Sequence, residues 1–202
     1  MSHFAVAVFT DDLDKLEDIL EPYCEIVDED SPYAEWEEDD SIEEGGYYTN
    51  PNAKWDWYVV GGRWENMLRL KNGERDNYAL VSQCDFTPNK KAYDRAIRFW
   101  EINVEGKPKA EDDPDDYLTF WKPEYYTERY ASKEEYAESQ AAFSTWAFID
   151  NEGEWHENGE MGWWGVNDAT RDSIRTYEQE FADYLEYAKE HELYIVIVDC
   201  HI

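Results

Sequence analysis

The two ends of this chain constrain its fold more than anything between them. Residues 3–9, His-Phe-Ala-Val-Ala-Val-Phe, and residues 194–198, Tyr-Ile-Val-Ile-Val, are short and continuously apolar. They lack the polar alternation of a strand with one wet face, so each must be covered on both sides. That places both inside one sheet. A helical pattern follows the first run, with Thr10 as its cap, Asp11 and Asp12 in the first turn where the macrodipole favours acid, and Leu13, Leu16, Ile19 and Leu20 on one face up to Pro22. A longer helix over 171–191 precedes the second run, with Ile174, Tyr177, Phe181, Tyr184, Leu185 and Ala188 on one stripe. The predicted fold class is α+β: a single mixed or antiparallel sheet with the N- and C-terminal strands central and helices packed on it. All 202 residues form one domain in this reading, with acidic loops inserted at about 28–49 and 105–116.

The middle of the chain predicts shorter elements. Strands are expected at 24–27, 55–60, 63–70, 79–86 and 117–121, with a turn at Asn72-Gly73. Thr87-Pro88 signals a helix start ahead of Ala92, Tyr93, Ala96, Ile97 and Trp100. Ser132-Lys133-Glu134-Glu135 is a capping box for a short helix reaching about Phe143. Residues 146–150 and 154–156 flank Asn151-Glu152-Gly153 as a hairpin, and 159–166 is a glycine-punctuated aromatic loop.

Charge decides which partners are plausible. The formal net charge is −31, and its distribution is uneven. Residues 11–44 hold 17 acidic residues against one lysine, and residues 111–202 hold 24 acidic against 6 basic. Residues 45–110 are nearly neutral, with 11 basic against 8 acidic. Such a field repels nucleic acid and anionic membranes and attracts basic protein surfaces. Ten Trp and 16 Tyr argue against a disordered chain. Cys24, Cys84 and Cys200 contain no CxxC pair and read as free thiols in a reducing compartment. No signal-peptide pattern and no apolar run of membrane-spanning length is present, so a cytoplasmic protein is expected.

The densest stretch is residues 50–64, Asn-Pro-Asn-Ala-Lys-Trp-Asp-Trp-Tyr-Val-Val-Gly-Gly-Arg-Trp. It matches no catalytic motif, and Gly61-Gly62 alone is too little for a phosphate loop. Lys54 and Asp56 would share a strand face. Arg63 could fork onto a phosphate or carboxylate, or could lock the Gly-Gly turn through an internal Arg–Asp pair. With Trp64, Trp163 and Trp164 these residues make a candidate site for a nucleotide-like ligand. Trp155, Trp163 and Trp164 could stack on a base, or simply pack. Asp199 and His201 share a strand face while Cys200 points away, so Cys200 and His201 do not form a nucleophile–base pair. A metal site there would need His156, His3 or Asp56 as well, and no ligand spacing supports one. No metal or cofactor is expected.

Taken together, Asn50 to Trp64, Gly153-Glu154-Trp155, Met161-Gly162-Trp163-Trp164-Gly165 and the terminal Val198-Asp199-Cys200-His201-Ile202 resemble a family of uncharacterised proteins from bacteriophages and bacterial mobile elements. The resemblance spans most of the chain. It implies origin in a phage or prophage and carries no activity across. The expected function is an acidic interaction protein that imitates nucleic acid and inhibits a host defence nucleoprotein of CRISPR or restriction type. Its binding residues would be Glu35, Glu37, Glu38, Asp39, Asp40, Glu43 and Glu44 in the first acidic loop, with Asp112, Asp113, Asp115 and Asp116 in the second. The partner would be a basic nucleic-acid-binding host protein. The alternative is a small ligand-binding protein or enzyme built on the central motif.

Overall fold

A computed structural model describes residues 2–111, 113–114, 119–159 and 167–202. The terminal runs become neighbours. Strand β1 (His3–Thr10) pairs antiparallel with β10 (Tyr194–His201), in register from His3 opposite His201 to Thr10 opposite Tyr194. β8 (Ala147–Ile149) lies parallel to β1 and folds back onto β9 (Trp155–Glu157). The far side of β10 is shared by two short strands, β4 (Trp57–Val60) near its C-terminus and β7 (Tyr78–Leu80) near its N-terminus. The sheet is therefore mixed, with β1 and β10 central, as the apolar runs predicted.

Strand alternation divides the core into two layers. Ala7, Phe9, Ile195 and Ile197 face Tyr177, Phe181, Leu185 and Ala188 of helix α5 (Arg171–Glu190), with Phe148 between them. Val6, Val8, Val196, Val198 and Cys200 face Leu20, Trp55 and Ile149 on the other side. Burying a Val, Ile or Leu side chain contributes about 1.5–3 kcal/mol. Two covered faces thus explain why the terminal strands carry no polar alternation. The α5 stripe is the predicted one, and Thr170 caps the helix in a reciprocal box with Ser173.

Several local expectations need correction. Thr10 stays in β1, and Asp12 caps a 3-10 turn (Leu13–Lys15) by accepting the Asp14 N–H. This turn leads into the five-residue α1 (Leu16–Leu20). Pro22 then sits in the first turn of another 3-10 segment instead of stopping a helix. Between Cys24 and Val27 only Cys24 makes a bridge, to Trp55. The 63–70 strand is replaced by a 3-10 turn (Gly62–Trp64) and by β5 (Leu68–Arg69), which pairs with β6 (Arg75–Asp76) across the predicted Asn72-Gly73 turn. The 79–86 strand shortens to β7 and a 3-10 turn at Val81–Gln83. Helix α2 (Lys90–Asn103) starts two residues late because Asn89 is the better cap, its Oδ1 accepting the Lys91 and Ala92 N–H groups.

Of the 117–121 strand, residues 117 and 118 lie outside the described residues, and 119–121 are not strand. Helix α3 (Pro123–Arg129), which periodicity did not suggest, follows. Helix α4 (Lys133–Ala141) begins at the predicted Ser132 cap. α2, α3 and α4 share an aromatic cluster in which Phe99, Trp100, Tyr126 and Tyr136 meet edge-on or tilted. Among the described residues no helix is long and apolar enough to cross a membrane.

Candidate functional site

The central motif splits into two halves. Asn50 is buried and binds the preceding loop, its Nδ2 donating to the carbonyls of Pro22 and Cys24 at 2.9 and 2.8 Å. Lys54 and Asp56 precede β4 and do not share a strand face. Lys54 Nζ pairs with Glu157 Oε1 at 2.9 Å, on the β9 side, while Asp56 turns to the end of β10. Trp64 packs partly buried against the α5-side core. Trp155 packs on Tyr23 and Phe4 and donates its Nε1–H to Glu157. Lys54, Trp64 and Trp155 are thus held by internal contacts. Trp163 and Trp164 lie outside the described residues.

The second half of the motif meets the C-terminal Asp199-Cys200-His201. His3 and His201 face each other across β1 and β10, their rings 4.9 Å apart and close to perpendicular. Each Nδ1 is held by a carboxylate: His3 by Asp199 at 2.8 Å, His201 by Asp56 at 2.6 Å. A neutral imidazole donating through Nδ1 keeps its Nε2 lone pair free. The second Asp199 oxygen accepts the Arg63 backbone N–H at 2.9 Å. The Gly-Gly turn is therefore locked onto the sheet by an aspartate, as one expectation held, but through the Arg63 backbone. The Arg63 guanidinium is exposed and makes no ion pair with any described residue. Gly62 has φ +52°, and a Cβ there would collide with the Asp199 carboxylate, so this close approach requires glycine. Trp57 stacks on His201 with rings 5.1 Å apart and remains 44% exposed.

Cys200 points into the opposite layer, as alternation required. His156 is elsewhere, stacked on Phe148 and 3.3 Å from Asp150. Among the described residues no three His, Cys, Asp or Glu side chains converge as a metal site would need. Burial pushes the Cys84 thiol up to about 11 and raises that of Cys200 as well. Both are buried, whereas Cys24 is half-exposed. One thiol per chain is therefore expected to react with a water-soluble disulfide reagent at pH 8 in the folded protein, against three after unfolding. Fast reaction of two or three in the fold would contradict the burial.

Comparison with protein-family models, with curated proteins and with solved structures finds no match.

The first acidic segment is more ordered than a loop. β2 (Glu35–Glu38) and β3 (Gly46–Thr49) form a separate two-stranded arm. Glu35, Glu37, Glu38, Asp40, Glu43 and Glu44 are exposed on it. Alternation puts Glu35 and Glu37 on one face with Tyr47, whose hydroxyl donates to Glu37 and whose pKa rises as a result. Trp36 and Tyr48 meet edge-on across the other face at 5.0 Å, over Gly46, where a side chain would strike the indole. Trp36 is nevertheless 48% exposed. Asp39 differs from its neighbours, because its carboxylate accepts the Ser41 N–H and shapes the turn, which holds its pKa below the usual range. Acid continues onto a cavity of about 570 Å³ beside the arm's leading segment, lined by Glu17, Asp18, Glu21, Asp28 and Asp30.

The second acidic segment is a different case. Asp113 is engaged by the Arg98 guanidinium, at 3.0 Å from Nε, and by the Ala110 N–H. These partners hold its carboxyl below the usual range. It is thus a paired structural carboxylate instead of a free anionic contact. Asp112, Asp115 and Asp116 lie outside the described residues.

Proposed function

We propose that this chain is an interaction protein whose acidic arm occupies the nucleic-acid-binding face of a basic partner. The observation that carries the reading is the β2–β3 arm, a separate pair of strands with three exposed carboxylates on β2 and three more on the connecting turn, together with a half-exposed tryptophan. Carboxylates at alternate positions of a strand recur about every 6.7 Å. That is roughly the rise of two nucleotides along one strand of DNA. Ordered strands hold this spacing where a mobile loop would not. Trp36 and Tyr48 add apolar contact area, which charge alone lacks and which protein interfaces favour. The resemblance to phage and mobile-element proteins supports a host defence nucleoprotein of CRISPR or restriction type as the partner, in the cytoplasm of the infected cell.

The test is capture from a bacterial lysate at low salt, followed by elution with duplex DNA. A nucleic-acid-binding protein released both by DNA and by salt is the expected result. Retained proteins that DNA does not displace would refute mimicry, because a mimic and its original compete for one surface.

A further inference from the structure

We propose that His3 and His201 form an acid–base pair that hydrolyses the phosphodiester of a small nucleotide. Three observations lead there. The two imidazoles are adjacent and nearly buried, 10% and 8% exposed, each oriented through Nδ1 by its own carboxylate, and neither Nε2 has a hydrogen-bond partner among the described residues. Asp199, one of the two orienting groups, is only 2% exposed, and it also fixes the turn that carries Arg63. That turn supplies an exposed guanidinium, which matches a phosphate in geometry and charge. Next to the pair, Trp57 and Val59 of β4 are both exposed on the same face, and Trp57 offers an aromatic surface on which a base can stack. A stacking surface beside paired imidazoles, with a cation on the adjoining turn, selects a nucleotide among phosphate esters. The net charge of −31 selects a small one, since a polyanion would be repelled.

In the step, one Nε2 takes a proton from water while the water oxygen bonds to phosphorus. The P–O bond to the leaving alkoxide breaks, and the other imidazolium donates its proton to that oxygen. The products are a phosphomonoester and an alcohol, with no change of oxidation state.

The experiment incubates the full chain with bis(p-nitrophenyl) phosphate, 2′,3′-cyclic AMP and the dinucleotide ApA. Turnover of at least one is expected. His3→Asn and His201→Asn, whose amides keep a donor toward Asp199 and Asp56 but remove Nε2, should each lower the rate by about 100-fold or more. Lys15→Gln, remote on the first 3-10 turn, should leave it unchanged. Should an asparagine variant fail to fold, imidazole ¹⁵N spectra of the unmutated chain decide instead. Adding 3′-AMP should shift the Nε2 signals of both His3 and His201 and spare His191. No turnover of any probe, rates unchanged in folded asparagine variants, or no shift with 3′-AMP would overturn the proposal.

Discussion

Replacing Asp199 with alanine is expected to lower the stability of the folded chain by about 3 kcal/mol, because leaving a buried donor unsatisfied costs about 1–3 kcal/mol and two donors lose their acceptor. The carboxylate is 2% exposed and serves two partners, His3 Nδ1 at 2.8 Å and the Arg63 N–H at 2.9 Å. Alanine leaves both donors without their acceptor, and the Gly62 backbone that packs against the carboxylate loses that contact. Asp199→Asn keeps the volume and one oxygen for Arg63 but loses the charge facing His3. It should therefore cost roughly half as much. Urea unfolding reads both: the midpoint should fall in the order native, Asn, Ala, with the slope unchanged. A loss under about 1 kcal/mol for alanine would mean that the carboxylate does not hold the turn.

The second large effect concerns binding. Changing Glu35, Glu37 and Glu38 to Gln and Asp40 to Asn removes four exposed charges without touching an apolar core residue. Asp39 is left alone because its side chain builds the turn. An exposed ion pair contributes about 0.2–1 kcal/mol, so four together amount to about 1–4 kcal/mol, or about 4- to 1,000-fold in affinity for the basic partner. Stability should move the other way. At −31 the folded chain repels itself, and neutralising four carboxylates relieves some of that repulsion. Added salt should do the same, raising the melting temperature over the range in which it weakens the complex. A melting temperature that falls with salt would show that attractive pairs such as Arg98–Asp113 outweigh the self-repulsion.

How far each feature could be read from the sequence follows from its physics. β1, β10, α5 and the 147–157 hairpin were legible because their hydrophobic period or turn residues leave one solution. The β2–β3 arm was not, since residues 28–49 have few apolar anchors and its pairing rests on Gly46 admitting the Trp36 ring. Asn89 displaced Thr87 as a cap through side-chain geometry that both residue types allow. Alternation correctly placed Asp199 and His201 on one face and Cys200 on the other. It could not bring His3 to them, because the β1–β10 register is a tertiary fact spanning the whole chain. Lys54 and Asp56 were separated for a simpler reason: the strand that would have aligned them begins at Trp57.

The measurement that tests the central claim most directly is the affinity of the captured basic protein for the native chain and for the four-charge variant, each over a series of salt concentrations from 50 to about 500 mM, a range across which the Debye length shortens from about 14 to about 4 Å. The account predicts that the logarithm of the native affinity falls steeply with the logarithm of salt, and that the variant binds more weakly with a shallower slope. Equal affinities with equal slopes would place the interaction somewhere other than the acidic arm and contradict the account.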